Sequence, residues 1–346
     1  MGAERAKVRF ITRKWPPAVG GMETYSRRLT QSLADHVDLE VIALPGRPSG
    51  AAPNAASLAG FVVRAAARLA LSRKADITHI GDMALWPLGW LAQLLGRHAK
   101  LVLSAHGRDV SLARELGWRG SAYLAYLRLG ARLLGHARVV ANSRYIAELA
   151  ERAGFNSTTI IALGTDLARP DSSSRRDILF AGRITRAKGL RFLVEEVLPQ
   201  LPDAVCLRVA GTVWEESERP LLADPRVKYL GSLSQEHLAA EFARARAVLI
   251  PSRDSEGFGL IAIEAAACGA YVIASDHSGL SEVVSPAIGE LLDACRPEAW
   301  AAAIRSALEM ADDEYRRHSD RARAFVEANY RWPLAARATL AVYDLA

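Results

Sequence analysis

The chain has 346 residues, half of them hydrophobic and 24% charged, with 44 Lys and Arg against 38 Asp and Glu for a formal charge of +6. Such a composition excludes a disordered chain, and the length exceeds one ordinary core, so two domains are expected. The basic excess suits an anionic partner or simply solvated helix faces, and no aromatic-studded sheet motif or Cys/His finger points to nucleic acid.

Cys206, Cys268 and Cys295 are widely spaced in apolar contexts. They predict reduced thiols of a cytoplasmic protein, not a disulfide framework or a metal site. The opening "MGAERAKVRFIT" has no apolar signal-peptide core, and the apolar stretch 84–96 is too short to span a bilayer and contains Pro87. The expected location is cytoplasmic, or peripheral at the inner face of the membrane.

In chain order, "KVRFIT" (7–12) predicts a strand and "METYSRRLTQSLADH" a helix, followed by "LEVIAL" (39–44) and an Ala/Arg/Leu helix over 57–73. Then come "ITHIG" (77–81), a helix at 84–96, "KLVLSAHG" (100–107), a helix near 120–135, "ARVVANS" (137–143) and a helix at 144–153. Polar "GTDLARPDSSSRRD" (164–177) predicts a linker. The alternation restarts with "ILFAG" (178–182), a helix at 189–200, "VCLRVAG" (205–211), "VKYLG" (227–231) and a helix at 235–245. It continues through "AVLIPS", the segment "SEGFGLIAIEAAACG" (255–269), "YVIAS" and helices from 297 onward. β-Branched strands alternating with helices predict parallel α/β sheets covered on both faces, here in two tandem domains whose strand ends face each other across a cleft. Pro333 near the start of "YRWPLAARATLAVYDLA" predicts a closing helix that packs back on the first domain. The expected division is residues 1–165, 166–328 and the closing helix 329–346.

Four loops at strand ends hold the candidate chemistry. In the first, Glu256 and Glu264 stand eight residues apart around Gly257, Phe258, Gly259 and Leu260. The amides of Phe258, Gly259 and Leu260 fall at a predicted helix N-terminus, which suits a phosphate. An acid near each end of that phosphate can accept hydrogen bonds from sugar hydroxyls. In "GRITRAKG" (182–189), Arg183 and Lys188 are two cations on one tight loop, suited to a diphosphate leaving group. Gly20 and Gly21 of "KWPPAVGGMETY" open a helix after the first strand; with no G-x-G-x-x-G and no Gly-Lys-Ser/Thr, neither a nicotinamide site nor a Walker loop is indicated. His106 of "SAHGRDV" follows a strand and shares its loop with Gly107 and Asp109.

Together, "VGGMETY", "AHGRD", "GRITRAKG" and "PSRDSEGFGLIAIEAAACG" ending in "GLSEVV" resemble the retaining glycosyltransferases of family 4, which have the two-Rossmann GT-B architecture. The resemblance spans nearly the whole chain, and "YRWPLAA" is similar to the family's crossing C-terminal helix. It implies a UDP- or GDP-sugar donor held mainly by the second domain and a saccharide or lipid-linked acceptor on the first, as in polysaccharide or glycoconjugate biosynthesis. By position, Arg183 and Lys188 would bind the diphosphate, Glu256 would contact the transferred sugar, and Glu264 would contact the ribose. Gly211 and the Gly257–Leu260 amides would complete the donor site, Gly20 and Gly21 would close over the diphosphate, and His106 would line the sugar pocket. Retention of configuration by front-face attack is implied, with no metal and no other cofactor, because the chain lacks Asp-x-Asp.

The Ala/Arg-rich segment 45–75 departs from the family in its compactness. Its "GFVVRAAARLALSRK" (60–74) fits ordinary amphipathic packing, with contact to an anionic membrane as the alternative. Rival readings of the whole chain are a non-catalytic nucleotide-sugar-binding subunit and a sugar-nucleotide epimerase.

Overall fold

The computed structural model describes residues 5–18, 20–47, 53–114, 117–167 and 175–345. Residues 168–174 of the predicted linker lie outside the described residues. By its contacts the chain divides into two compact units, one running to Leu163 and taking in Trp332 onward, the other Gly164–Arg331.

The first unit runs β1 (Lys7–Trp15), α1 (Gly21–Leu33), β2 (Asp38–Pro45), α2 (Ala55–Leu71), β3 (Ala75–Ile80), α3 (Trp86–Leu94), β4 (His98–Ala105), α4 (Arg108–Ser111), α5 (Trp118–Leu133), β5 (Arg138–Ala141), α6 (Arg144–Arg152) and β6 (Thr158–Ile160). Its six strands are parallel in the order β2-β1-β3-β4-β5-β6. The chain therefore adds β2 on one side of β1, then reverses and adds every later strand on the other. Right-handed crossovers put α2, α3, α5 and α6 on one face, where they share a single apolar core built on Phe61, Trp86, Leu127 and Ile146. Helix starts are fixed locally: Asn54 accepts from the Ser57 amide at 2.8 Å, and Ser143 from that of Ile146 at 3.2 Å.

The second unit runs β7 (Asp177–Ala181), a helical stretch containing α7 (Leu190–Phe192), β8 (Leu207–Ala210), β9 (Val227–Gly231), α8 (Gln235–Arg244), β10 (Ala245–Ile250), α9 (Leu260–Ala267), β11 (Tyr271–Ser275), α10 (Leu280–Val283), β12 (Gly289–Leu292), α11 (Pro297–Glu309) and α12 (Asp312–Asn329). Its sheet is also six-stranded and parallel, in the order β12-β11-β10-β7-β8-β9. The predicted helix at 189–200 is not uniform. After α7 it widens to a π-segment, Leu193–Val197, then tightens to a 3₁₀ turn, Leu198–Gln200. Pro199, which has no amide to donate, sits in that last turn.

The closing helix α13 (Trp332–Val342) carries Pro333 at its second position, where a missing amide costs nothing, and belongs to the first unit. Trp332 and Tyr343 are both buried there, worth up to about 3 kcal/mol each by transfer. The Tyr343 hydroxyl meets His79 Nδ1 at 2.6 Å, His79 Nε2 meets the Ser104 hydroxyl at 2.6 Å, and Ser104 meets the Tyr25 hydroxyl at 2.8 Å. This buried chain ties the C-terminal helix to β3, β4 and α1.

Candidate active site

In an open parallel sheet, ligands bind outside the carboxyl ends of the strands where the order of addition reverses. In the second unit that point lies between β7 and β10, and both loops leaving it carry predicted site residues. Gly182 turns the chain out of β7 at φ 151°, and its amide donates to the Ala210 carbonyl at 2.9 Å. The Ile184 amide donates to Thr212 at 2.9 Å, and the Trp214 amide to Ile184 at 3.1 Å, so the loops after β7 and β8 run as a short ladder. Gly211 has a packing reason at this point: a Cβ there would lie 1.8 Å from the Gly182 oxygen, and its own carbonyl accepts from the Tyr229 hydroxyl at 2.9 Å.

The β7 loop is also locked to the β10 loop. Gly189, at φ 76°, closes the turn Arg186–Lys188, and a Cβ on it would fall 1.9 Å from the Pro251 carbonyl oxygen. The Arg253 amide donates to the Ala187 carbonyl at 2.8 Å. Held this way, the Lys188 ammonium forms an ion pair with the Glu256 carboxylate, and the Ser252 hydroxyl lies 3.4 Å from the same oxygen. Burial by itself would push the Glu256 carboxyl up, but Lys188, then Arg183 and Ser252, outweigh it and hold the group below the ordinary carboxylate range. Glu256 is therefore a carboxylate at neutral pH. Arg183 makes no ion pair among the described residues; its guanidinium stacks 4.9 Å from the ring centre of Trp214, itself 49% exposed.

The rest of this loop is shaped by glycines. Gly259 caps α9 in the left-handed region at φ 101°, and the Gly279 amide donates to the Glu256 carbonyl at 2.9 Å. A Cβ on Gly279 would lie 2.5 Å from the Gly257 oxygen, so the two loops touch backbone to backbone. Phe258 turns its ring into the unit's interior, edge-on to Tyr330 at 5.9 Å, which leaves only its backbone for a ligand. Leu260 begins α9, whose first amides have no carbonyl inside the helix to reach. Glu264 is the one charged side chain of α9 and is buried. Burial, then the Glu264 charge, drive the nearby Cys268 thiol up to about 12, so it stays protonated. His277, after β11, braces the site from below by donating through Nε2 to the Ser252 carbonyl at 2.6 Å.

The first unit reverses its strand order between β1 and β3. Gly20 caps α1, and a Cβ on it would meet the Glu23 carboxylate at 2.6 Å; Glu23 also pairs with Lys14 at 3.4 Å. Around Gly21 a Cβ would meet nothing within 4 Å. After β4, His106 is buried, with its ring edge-on to Tyr25 at 4.2 Å. Its Nε2–H donates to the Gly81 carbonyl at 3.1 Å, and Nδ1 is buried without a hydrogen-bond partner among the described residues. Burial pushes its pKa down, against the pull of Asp109 and Asp82, so the ring is neutral and Nδ1 keeps a lone pair. Asp109 has a structural task, accepting from the amides of His106, Gly107 and Met83 at 3.1, 2.7 and 3.2 Å. Asp82 accepts from Arg13 at 3.0 Å, while its other oxygen is buried and unpartnered among the described residues.

Thus Lys188 and Glu256 are in direct contact, with Arg183 close enough to act on Glu256. Gly257, Phe258, Gly259, Leu260 and Glu264 follow on the same loop and helix. Gly20, Gly21 and His106 belong to the first unit. Sequence reasoning missed Trp214, Ser252 and His277; the only signal for them was their position just after β8, β10 and β11.

Two tandem parallel α/β units with an Arg/Lys-bearing loop at a strand-order reversal are the arrangement of the GT-B fold. Residues 19–169 match the family described as glycosyltransferase family 4, and residues 175–310 match glycosyl transferases group 1. A GDP-mannose-dependent monoacylated alpha-(1-6)-phosphatidylinositol monomannoside mannosyltransferase of Corynebacterium glutamicum is 26% identical, over 96% of this chain and 96% of the relative. A D-inositol 3-phosphate glycosyltransferase of Pseudarthrobacter chlorophenolicus is 35% identical over 61% of this chain, which spans 56% of that relative. Among solved structures, a sucrose-phosphate synthase of Thermosynechococcus elongatus superposes with a TM-score of 0.81 at 23% identity, covering 98% of each chain. Anabaena HepE, in complex with UDP, superposes at 0.77 and 20% identity, covering 98% of this chain and 99% of its own. The chain is a glycosyltransferase whose first unit matches family 4 and whose second matches group 1.

Proposed function

We propose that this glycosyltransferase moves a hexose from a UDP- or GDP-sugar to a hydroxyl of a saccharide or lipid-linked acceptor, with retention of configuration. The observation that carries the reading is the Lys188–Glu256 pair, with Arg183 beside it, at the β7/β10 reversal next to the N-terminus of α9. The donor diphosphate takes the place of Glu256 as partner of Lys188, and Arg183 swings from Trp214 onto it. Glu256, released, accepts hydrogen bonds from the hexose, and Glu264 accepts them from the ribose. The C1–oxygen bond breaks with its electron pair passing to the diphosphate, whose added charge the two cations neutralise without a metal. The acceptor oxygen then bonds C1 from the same face, and its proton goes to the departing phosphate oxygen. On the first unit, the neutral His106 offers Nδ1 to a sugar hydroxyl.

Among the described residues Cys206, Cys268 and Cys295 form no disulfide, which suits a reducing, cytoplasmic setting or the inner face of the membrane. Among the described residues, no helix is long and apolar enough to cross a membrane. The test is donor hydrolysis and transfer with UDP- and GDP-hexoses: Glu256→Ala and Lys188→Ala abolish both while the protein stays folded. Full activity in either variant refutes the assignment. Nucleotide binding with no turnover of any donor would instead make this a binding subunit, and donor conversion without an acceptor would make it an epimerase.

A further inference from the structure

At its own strand-order reversal, between β1 and β3, the first unit holds polar groups that the fold leaves unfilled. Arg13 stands near the carboxyl end of β1 and Asp82 two residues past β3, and the Gly81 amide pins the two strand ends together by donating to the Ile11 carbonyl at 2.7 Å. One Asp82 oxygen accepts from Arg13 Nε at 3.0 Å and from the Ala84 amide at 3.2 Å, which caps the turn Met83–Leu85. The cap explains one oxygen. The other is buried and has no partner among the described residues. A carboxylate oxygen left open in the interior costs free energy until something bonds to it.

Arg13 is 27% exposed and gives the protein only its Nε; among the described residues neither Nη has a hydrogen-bond partner. What remains is a planar fork of donors. Asp82 cancels its charge, and Asp109 acts on the pair as a second acid. An arriving phosphate or carboxylate would meet both acids, whereas adjacent neutral hydroxyls suffer no such repulsion and still accept from the two Nη groups. A hydroxyl also has a proton to give, and Asp82 Oδ2 and His106 Nδ1 stand open to accept it. Tyr123 and Tyr126 of α5 stand beside this group, close enough for the charges of Arg13 and Asp82 to act on both. Their hydroxyls are tied to the Asp109 and Ala84 carbonyls at 2.8 and 2.7 Å, which fixes two rings with centres 5.7 Å apart. Aromatic rings beside a few converging polar groups suit a ligand ring that is apolar on its faces and hydroxylated at its rim.

We propose that Arg13 and Asp82 form the acceptor subsite and hold two adjacent hydroxyls of a neutral sugar or polyol ring. The Arg13 fork donates to both oxygens, and Asp82 accepts a hydrogen bond from one of the hydroxyls. Calling this ring the acceptor rests on the sugar-transfer reading above; its binding needs no donor and is measured separately.

The experiment is saturation-transfer NMR of the full chain with methyl α-D-glucopyranoside, methyl α-D-mannopyranoside and myo-inositol, in the absence of nucleotide. At least one of the three binds the wild type with a Kd of about 10 mM or tighter. Arg13→Gln weakens that binding about ten- to a hundred-fold, and Arg13→Lys does not restore it, because an ammonium lacks the fork. Asp82→Asn keeps the capping oxygen but sets a donor where the open oxygen stood, and weakens it likewise; should that variant unfold, Arg13→Gln carries the test, its side chain being partly exposed. UDP and GDP affinities stay at the wild-type value in Arg13→Gln, and with a donor that the wild type turns over this variant keeps hydrolysis and loses transfer. Failure of all three probes to bind the wild type overturns the proposal, as does equal binding by Arg13→Gln or displacement of the bound probe by inorganic phosphate. A fall in nucleotide affinity in Arg13→Gln assigns Arg13 to the donor and also overturns it. Probe binding that Arg13→Gln loses, with no donor turned over by the wild type, supports the subsite and refutes the transfer reading instead.

Discussion

The Lys188–Glu256 pair yields a prediction with a worked magnitude. Their side chains are 24% and 21% exposed, so the pair lies between a surface ion pair, worth under about 1 kcal/mol, and a buried one, where removing a partner costs about 3–5 kcal/mol. Lys188→Met should therefore destabilise the second unit by about 1–3 kcal/mol, a fall in melting temperature of about 2–4 °C per kcal/mol for a unit of this size. Glu256→Gln should cost a similar amount. The double variant should cost less than the sum, because each single change strands the other's charge. The pH dependence has a definite sign. Held below its ordinary value, the wild-type Glu256 stabilises the fold above about pH 4.5, and that contribution is lost as the pH falls through the lower folded value. In Lys188→Met, burial keeps pushing the carboxyl up with its main counterweight gone, so this acid-side loss shrinks and the variant's deficit relative to wild type narrows as the pH falls. Urea titrations of the four proteins at pH 7 and at about pH 4 measure both effects. Strict additivity, or an unchanged pH response in Lys188→Met, would refute the pairing on which the site is built.

Other outcomes follow from the same geometry. Gly21→Ala should leave stability within about 0.5 kcal/mol, since its Cβ enters open space, yet weaken nucleotide-sugar turnover if a ligand approaches that backbone; unchanged kcat/KM removes Gly21 from the site. Gly189→Ala should cost about 3 kcal/mol or more, because it sets a Cβ against the Pro251 oxygen in the left-handed region, and a normal melting temperature would contradict this. Tyr343→Phe should cost about 1–3 kcal/mol by taking a partner from buried His79, read by chemical denaturation, and a cost near zero would mean the buried chain does not anchor the C-terminal helix. His79 is driven down to about 3 by burial and His106, and His318 to about 4 by burial and Arg321. The unfolded chain then binds protons the folded one refuses, so stability should fall as the pH drops from about 6.5 toward 4; a melting temperature flat over that range would count against the buried neutral histidines.

The architecture was legible because parallel strands buried on both faces read as short β-branched runs. "AVLIPS" and "ILFAG" marked β10 and β7, and the loops after them could be placed at once. What stayed hidden depends on contacts between distant segments. Strands β6 and β12, of three and four residues, carry too little pattern to separate from loop. Gly211 looked like a ligand glycine, but its packing against the Gly182 oxygen is a cross-loop contact that no local reading shows. Arg183 was legible as a cation, whereas its stacking on Trp214 depends on the ladder between the β7 and β8 loops.

The most direct test of the central claim is calorimetric titration of the wild type and Lys188→Met with UDP and with GDP. The account predicts that at least one nucleotide binds the wild type with a Kd below about 1 mM and that the variant binds it about a hundred-fold more weakly, as loss of a charge-assisted contact of about 3 kcal/mol requires. Failure of both nucleotides to bind the wild type, or equal affinity in the variant, would contradict it.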